Sequence, residues 1–333
     1  MSNGQQEIKV SVYCLAYNHA KYIRKALDGF VMQKTNFAYE VFVHDDASTD
    51  GTADIIREYE AKYPHIIKGI YQTENQHSQK IPIVTTHILP NMSGEYIACC
   101  EGDDYWIDEN KLQMQYDIMQ THPEVVFCAH KVQCVNEDMS MNSRVIPGDG
   151  CGLHENKLLS KEELSDLLFI KGAYAFHTSS YFISKKVFVS EERQQLRTKM
   201  NGDQTIMYAT LLYGNTYFIN QIMSYRRLLT EGNWHQRYAQ FSEKKQSQHH
   251  LNFCDGTLLF DEVSNGVYHD KIMYNAYLRL MSLSLQFNND IVKQYFADFK
   301  KKYKFNWFYS LKLSGAYLMY YLCPGLLRKK LKL

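Results

Sequence analysis

Three carboxylates lie within four residues, at Glu101, Asp103 and Asp104, after an apolar segment and before Tyr105 and Trp106. Acids this close repel one another unless a cation or hydrogen-bond donors compensate their charge. Mg²⁺ and Mn²⁺ prefer oxygen ligands, commonly one or two carboxylates together with substrate phosphates. The cluster therefore suits a divalent-cation site. The alternative interpretation is a solvated acidic turn that caps the next helix.

A second acidic segment, DDASTDG, spans residues 45–51. One interpretation is a strand-to-helix turn in which Asp, Ser and Thr side chains cap backbone amides. The other is a binding segment whose Asp accepts hydrogen bonds from a nucleobase or a ribose. The chain has neither GxxxxGK[ST] nor GxGxxG after its first strand, which argues against a P-loop NTPase and a dinucleotide-binding fold.

The residue pattern places both acidic segments at the ends of predicted strands. In the first half, strands are expected at 8–15, 39–43, 66–71 and 95–100, and helices at 20–33, 52–62, 82–92 and 108–121. This β-α-β order predicts an α/β fold with a mostly parallel central sheet flanked by helices. In such sheets ligands bind at the carboxyl ends of the strands.

The second half is less regular. Strands are expected at 125–135, 177–183 and 217–225, helices at 161–170 and 203–213, and a long polar loop at 138–158. From about residue 240 the pattern is largely helical. We therefore expect one α/β domain over residues 1–239 and a helical C-terminal extension over 240–333.

Three segments taken together resemble family 2 glycosyltransferases, which are inverting enzymes with the GT-A fold. They are VSVYCLAYN at 10–18, VHDDASTDGT at 43–52, and GEYI at 94–97 ahead of the acidic cluster. The resemblance extends over about residues 7 to 235 and implies a GT-A nucleotide-sugar glycosyltransferase domain. It implies transfer of a hexosyl or N-acetylhexosaminyl group from a nucleotide-diphosphate sugar, with UDP expected, assisted by Mn²⁺ or Mg²⁺. The acceptor would be a hydroxyl of a glycan or lipid-linked molecule, in surface polysaccharide biosynthesis.

The same resemblance assigns roles to individual residues. Tyr17 would stack on the nucleobase and Asp46 would hydrogen-bond it. Asp104 is expected to be the direct metal ligand, with Asp103 contributing to the metal site and lying nearer the ribose. Asp203, in the segment GDQ, corresponds to the general base. Its alternative role is the N-cap of the following helix.

Three further residues have weaker signals. Arg226 and His235 follow the last core strand and would belong to a loop that closes on the diphosphate, the alternative being a polar surface turn. His177 begins a strand near the expected cleft. A buried structural histidine is the favoured interpretation there.

Two other function classes stay open. A nucleotidyltransferase would use the same sheet and metal, but residues 15–25 lack the basic, glycine-rich triphosphate loop that it needs. A non-catalytic nucleotide-sugar-binding or scaffold protein would keep the fold without transferring sugar.

Charge is divided unevenly along the chain. Residues 300–333 carry nine basic side chains and no acidic one, whereas residues 1–299 carry 28 basic and 36 acidic side chains. The acidic body argues against nucleic acid as a partner. The tail over 305–333 combines aromatic residues with flanking lysines and predicts peripheral contact with anionic lipid. Its alternative is packing on the protein or in an oligomer.

The expected location is the cytoplasm, at the inner face of the cytoplasmic membrane. Residues 1–7 show no basic and apolar leader, and the eight cysteines have no metal-ligand or CxxC spacing, which is typical of reduced, buried thiols.

Overall fold

The computed structural model describes residues 7–136, 138–172, 175–228, 238–287 and 289–303, so that His235 and the tail over 305–333 fall outside the described residues. Its strands are Ile8–Ala16 (β1), Ala38–Asp45 (β2), Ile67–Tyr71 (β3), Tyr96–Cys99 (β4), Tyr105–Trp106 (β5), Val125–Val135 (β6), Met141–Ile146 (β7), Lys157–Leu159 (β8), Phe182–Ser184 (β9) and Asn215–Arg227 (β10).

The α-helices are Ile23–Val31 (α1), Thr52–Lys62 (α2), Lys111–Thr121 (α3), Lys161–Ser165 (α4), Lys185–Phe188 (α5), Glu191–Leu196 (α6), Gly202–Tyr213 (α7), Glu243–Val263 (α8), His269–Gln286 (α9) and Asp290–Lys302 (α10). Short π-helical turns lie at Val84–Ile88 and Asp166–Ile170. Turns of 3₁₀ helix lie at Leu89–Asn91, Asp149–Cys151 and Thr178–Ser180.

The strands form one mixed sheet in the order β3-β2-β1-β4-β9-β6-β10-β5, with β7 paired to β6 and β8 to β10. Its four longest ladders, β6 with β10, β1 with β2, β2 with β3 and β1 with β4, are all parallel. Strand β9 joins the two parallel groups by antiparallel pairing to β4 and β6. The mostly parallel α/β architecture expected from the sequence is confirmed.

Contacts divide the chain into two compact units. Unit 1 takes residues up to 161, 174–189 and 213–230, and it contains the whole sheet. All of β2 after its first residue is buried, as expected for a strand with helices on both faces of the sheet. Unit 2 takes 162–173, 190–212 and the residues from 231 onwards. Its described residues contain helices and no strand. Its core includes a cluster of four aromatic side chains, Phe169, Tyr208, Phe260 and Tyr268.

Several predicted elements are confirmed, and two predictions are wrong. The strand expected at 177–183 with His177 at its start is instead a 3₁₀ turn at Thr178–Ser180, capped by His177, followed by β9. Helix α2 and strand β6 have the expected bounds at both ends. The long loop expected at 138–158 instead contains β7 and β8. Most side chains of β7 are solvent-exposed or half-exposed, so its polar sequence carries no apolar alternation. Its strand conformation comes from pairing with β6, which is a tertiary effect.

None of the helices within the described residues is long and apolar enough to cross a bilayer.

A buried carboxylate links four adjacent strands of the sheet. Glu40 on β2 is fully buried and accepts hydrogen bonds from the Ser11 hydroxyl (2.7 Å) and the Ser93 amide (2.7 Å). Lys68 on β3 forms an ion pair with the same carboxylate. The Gly94 amide, just before β4, donates to the Ser11 hydroxyl (2.8 Å). Burial opposes ionisation of Glu40, but the bonds from Lys68, Ser93 and Ser11 lower its pKa.

Replacing Glu40 with Gln should therefore destabilise unit 1. Loss of the charge-assisted bonds should reduce the free energy of unfolding at pH 7 by about 2 kcal/mol. Because the pKa of Glu40 is lower in the folded chain than in the unfolded chain, its contribution is present above the ordinary glutamate pKa. This contribution is lost as pH falls through the pKa of Glu40 in the folded chain. The difference in unfolding free energy between the wild-type and Glu40→Gln proteins should therefore narrow below about pH 4. Urea unfolding across pH 3–7 measures this.

Glu58→Gln is the matched control. Glu58 also pairs with a cation through two hydrogen bonds, from Arg24 (2.9 and 2.6 Å), but both side chains are at least half exposed. Exposed pairs contribute little to stability. If Glu58→Gln and Glu40→Gln reduce the free energy of unfolding equally, burial of the Glu40 carboxylate is not what makes its contribution large.

Candidate active site at the carboxyl ends of the strands

The acidic cluster lies on a turn that leaves β4 and crosses the end of β1. The Cys100 amide donates to the Tyr13 carbonyl (3.2 Å) and the Gly102 amide to the Leu15 carbonyl (2.9 Å), which continues the parallel pairing beyond the strand. A Cβ atom on Gly102 would lie 2.8 Å from the Ile23 side chain and 2.9 Å from the His19 ring. A larger residue at this position would therefore have to displace the Ile23 and His19 side chains.

Carboxylate oxygens of Glu101, Asp103 and Asp104 all lie within 4.8 Å of one another. Glu101 is exposed and Asp103 is half-buried, whereas Asp104 is only 3% exposed. Burial raises the pKa of Asp104 well above its usual range, and the charges of Asp103 and Glu101 raise it further. A bound divalent cation would compensate this clustered charge, so the donor set fits Mg²⁺ or Mn²⁺.

Asp104 has two neighbours on other parts of unit 1. Its Oδ1 accepts a hydrogen bond from the Arg227 amide at the end of β10 (2.8 Å). Its Oδ2 lies 3.7 Å from Nε2 of His177. Burial, with help from Arg226 and Arg144, lowers the pKa of His177 well below its usual range. The contact therefore joins two groups that burial keeps neutral and is not a strong ion pair.

The Arg227 side chain supports the turn from the other side. It is 5% exposed, and its guanidinium donates to the Asp103 carbonyl. The same group lies 5.1 Å from the ring centre of Tyr22 and 4.6 Å from that of Tyr105. A planar guanidinium can make a directional hydrogen bond and stack on aromatic faces at once. Arg227 thus fixes the backbone of the cluster without neutralising Asp104 by a side-chain ion pair.

Strand β5 anchors the end of the cluster in the core. The Trp106 indole donates to the Ser179 carbonyl (2.9 Å), and its ring packs edge-on against Phe30 at 4.9 Å between centroids. A Cβ on Gly29 would lie 2.8 Å from the Trp106 carbonyl oxygen, so α1 and β5 are in close contact. The ammonium of Lys111 lies 4.1 Å from the Trp106 ring centre, and burial lowers its pKa to about 8.

The other acidic segment lies at the ends of β1 and β2. The Asp46 amide donates to the Ala16 carbonyl (2.9 Å), which brings Asp46 beside the residue that precedes Tyr17. Tyr17 is 47% exposed, so its ring is accessible to a ligand. Asp46 is 4% exposed, and its two carboxylate oxygens accept the backbone amides of Gln76 (2.7 Å) and His77 (3.0 Å).

The structure thus brings some of the candidate residues together in unit 1 and leaves others elsewhere. Tyr17, Asp46, Asp103, Asp104 and Arg226 all belong to unit 1.

Asp203 belongs to unit 2. It lies in the first turn of α7, where its Oδ1 accepts the Gln204 amide (2.9 Å).

Two contributors to the site were not singled out from the sequence. Arg227 was one of a pair of arginines, and only Arg226 became a candidate, although the buried contacts belong to Arg227. Gly102 sits inside the acidic motif, and its packing role follows from a neighbour 79 residues away in the chain, at Ile23. His177 is buried as expected, yet it also lies beside Asp104.

An acidic turn whose carboxylates suit a divalent cation and an accessible aromatic ring, both at the carboxyl ends of a mostly parallel sheet, are typical of nucleotide-sugar-dependent transferases with a GT-A-like fold. The family model for glycosyl transferase family 2 matches residues 11–188, which is more than half of the chain. The chain belongs to this family.

Relatives with this similarity occur in several bacteria. An uncharacterized protein of Mycobacterium tuberculosis is 41% identical over 143 residues, which cover 41% of this chain and 39% of the relative. The poly(ribitol-phosphate) beta-glucosyltransferase of Bacillus spizizenii is 32% identical over 99 residues, covering 29% and 15% of the two chains. The chain thus spans about two fifths of the length of the first of these relatives.

Solved structures share the fold. S. aureus TarS residues 1–349 in complex with UDP-GlcNAc superposes with a TM-score of 0.53 at 16% identity, covering 86% of this chain and 83% of that chain. The mannosyltransferase PcManGT from Pyrobaculum calidifontis, in complex with GDP-Man and Mn²⁺, gives 0.50 at 16% identity, covering 96% and 82%. At this identity the likeness concerns the fold alone.

Arg227→Lys should destabilise the turn that carries the acidic cluster. Lysine keeps the charge and the backbone bond to Asp104 but loses the stacking on Tyr22 and Tyr105, so the free energy of unfolding should fall by about 1–2 kcal/mol. Urea unfolding followed by tryptophan fluorescence measures this. Arg57→Lys is the control, because Arg57 also stacks on a tyrosine, Tyr71, but is 54% exposed. If the control loses as much stability, the buried stacking is not what supports the site.

Proposed function

We propose that the chain is an inverting glycosyltransferase that moves a sugar from a nucleotide-diphosphate-sugar donor to a hydroxyl of a glycan or lipid-linked acceptor. The observation that carries the proposal is the buried Asp104 within a three-carboxylate cluster at the carboxyl ends of parallel strands. Clustered carboxylates of this kind can bind a divalent cation, and the cation can in turn bind phosphate oxygens. Membership of family 2 supports the same conclusion.

On the donor side, we propose a UDP-sugar that carries a hexosyl or N-acetylhexosaminyl group. Tyr17 would stack on the base, and Asp46 would hydrogen-bond it. Asp103 would lie toward the ribose, and Arg226 and His235 toward the diphosphate. The UDP-GlcNAc and GDP-Man bound by structural neighbours support a nucleotide-sugar donor, and the exposure of Tyr17 supports stacking.

The cation would be Mn²⁺ or Mg²⁺, held by Asp104 and Asp103. When bound, it would neutralise negative charge on the departing diphosphate. The protein's own contribution is to hold these carboxylates on a turn that Gly102 and Arg227 fix in place. The Mn²⁺ in the mannosyltransferase complex supports a divalent cation.

The transfer would be a single displacement with Asp203 as general base. As the acceptor oxygen forms its bond to the anomeric carbon, the bond from that carbon to the diphosphate oxygen breaks. The acceptor proton passes to Asp203, and the configuration at the anomeric carbon inverts. We propose residues 1–239 as the catalytic domain and 240–333 as a helical extension.

The acceptor belongs, in this proposal, to surface polysaccharide biosynthesis. The poly(ribitol-phosphate) beta-glucosyltransferase relative supports a polymeric acceptor. The basic, aromatic tail over 305–333 would hold the protein at the anionic inner face of the cytoplasmic membrane, where lipid-linked acceptors are found.

Asp104→Asn should abolish metal-dependent nucleotide binding. The substituted carboxamide is the same size and retains an acceptor for the Arg227 amide, but it lacks the charge that a cation needs. For the wild-type chain, a UDP-sugar at about 100 times its Kd with Mn²⁺ should add about 2.7 kcal/mol of stability. Thermal unfolding of both proteins, with a panel of nucleotide sugars and with or without Mn²⁺, measures this.

Glu109→Gln serves as the control for this experiment, since Glu109 is a nearby acid outside the cluster that pairs with Lys34. Its Mn²⁺-dependent stabilisation should equal that of the wild-type chain. Retained stabilisation in Asp104→Asn would overturn the metal assignment.

Asp203→Asn should leave donor binding intact and reduce transfer by about 10²- to 10⁴-fold, since only the proton acceptor is lost. Release of nucleoside diphosphate in the presence of an acceptor panel measures transfer, and titration calorimetry measures donor binding. Asp290→Asn is the control, because Asp290 also lies in the first turn of a unit 2 helix. If Asp203→Asn transfers sugar at the wild-type rate, Asp203 is not the base.

A further inference from the structure

Two buried hydroxyl groups join β10 to the imidazole of His177. Ser224 on β10 and Ser179 in the 3₁₀ turn are fully buried, and their hydroxyl oxygens lie 2.8 Å apart. The Ser179 hydroxyl also lies 3.0 Å from Nδ1 of His177, which is buried as well. Buried polar groups that satisfy one another rigidify a structure and specify one geometry. The imidazole is therefore held by two parts of unit 1, which are β10 and the turn that His177 caps.

The contacts at Nδ1 fix the tautomer of this imidazole. The Ser179 backbone amide donates to Nδ1 (3.4 Å) at the start of the 3₁₀ turn. Because a backbone N–H can only donate, Nδ1 is the acceptor nitrogen and the ring proton lies on Nε2. Within the described residues Nε2 forms no hydrogen bond, and it lies 3.7 Å from Oδ2 of Asp104. An N–H donor thus faces the buried carboxylate of the acidic cluster.

Asp104 therefore has one N–H group near each of its carboxylate oxygens. The Arg227 amide donates to Oδ1 (2.8 Å), and Nε2 of His177 lies just beyond hydrogen-bond distance from Oδ2. Both groups depend on β10, since Arg227 is its last residue and Ser224 lies in the same strand. A carboxylate with a donor near each oxygen has little freedom to rotate about its Cβ–Cγ bond. Partners that orient a metal-ligating group in this way raise its affinity for the metal.

We propose that His177 is a positioning residue for the proposed cation site, and that its Nε2–H sets the orientation of the carboxylate through which Asp104 would bind Mn²⁺ or Mg²⁺. The inference rests on the proposed function, because it concerns the cation of the same site. The other role available to His177 is purely structural. In that role Nδ1 would cap the 3₁₀ turn, and Nε2 would contribute nothing to cation binding.

Two amide substitutions separate these roles. In His177→Asn the amide lies as many bonds from the backbone as Nδ1, so its oxygen can still accept the Ser179 amide, but nothing replaces Nε2. In His177→Gln the amide lies as many bonds away as Nε2, so it can donate to Asp104 but leaves the turn without its cap. His130→Asn is the control, because His130 is another fully buried histidine whose Nδ1 contacts a backbone carbonyl, that of Lys131 (2.8 Å).

The first measurement is the tautomer of His177 in the chain without metal or nucleotide. It is read from the ¹⁵N chemical shifts of protein labelled at histidine, and the signals that disappear in His177→Asn identify the residue. We expect a neutral ring with its proton on Nε2. A proton on Nδ1 would direct the N–H at Ser179 instead of Asp104 and would overturn the proposal.

The second measurement is the Kd of Mn²⁺ with UDP present, from the electron paramagnetic resonance signal of free Mn²⁺. His177→Asn should raise this Kd by about 10- to 100-fold, which is the usual effect of losing a partner of a metal-ligating group. His177→Gln should restore much of the affinity, although urea unfolding of the metal-free proteins should show it to be the less stable variant. His130→Asn should keep the wild-type Kd whatever its stability.

The opposite order of affinities would overturn the proposal. If His177→Asn binds Mn²⁺ as the wild-type chain does and His177→Gln binds it more weakly, His177 acts only as the cap of the turn. Equal weakening in both variants would also overturn the proposal, since the donor near Asp104 would then have no effect. Failure of the wild-type chain to bind Mn²⁺ with UDP would overturn the proposed function, whereas the tautomer would still test the contact between His177 and Asp104.

Discussion

The free energy of burying Asp104 is the constraint on which the site depends. Moving an ionised carboxylate out of water is energetically costly unless the group is hydrogen-bonded, paired with a cationic side chain or bound to a metal cation. Asp104 receives one backbone amide and has neutral His177 nearby, while Asp103 and Glu101 add repulsion. The chain therefore keeps a group that is unfavourable as an anion in the absence of a ligand. Such a group becomes favourable when a divalent cation binds.

Holding that carboxylate in place requires support that is independent of its charge. Gly102 brings the turn against α1, Trp106 fixes the following strand through the Ser179 carbonyl, and Arg227 binds the Asp103 carbonyl. None of these contacts neutralises the carboxylate groups of the cluster. The backbone of the turn is thus fixed by packing and by hydrogen bonds to uncharged carbonyl groups.

Sequence reasoning could predict the elements that carry their own periodicity. Helix α2 has turn residues before it and an amphipathic pattern, and β6 is a mostly apolar segment, so both had correct bounds. Strand β7 had no such pattern because most of its side chains are exposed or half-exposed. The positions of the acidic segments followed from strand order alone. The contacts of Asp46 and Arg227 did not, since they join residues about 30 and 124 positions apart and depend on loop conformation.

The contacts of the Arg227 guanidinium are those expected of a cluster that binds a ligand, and not of a turn built only for stability. A turn built for stability alone would direct its buried guanidinium to a carboxylate, where a bidentate pair is strongest. Within the described part of the chain, that guanidinium instead donates to a carbonyl and stacks on Tyr22 and Tyr105. A direct pair would compete with a cation for the Asp104 oxygens. Because Arg227 supports only the backbone of the turn, its guanidinium does not compete with a cation for the Asp104 oxygens.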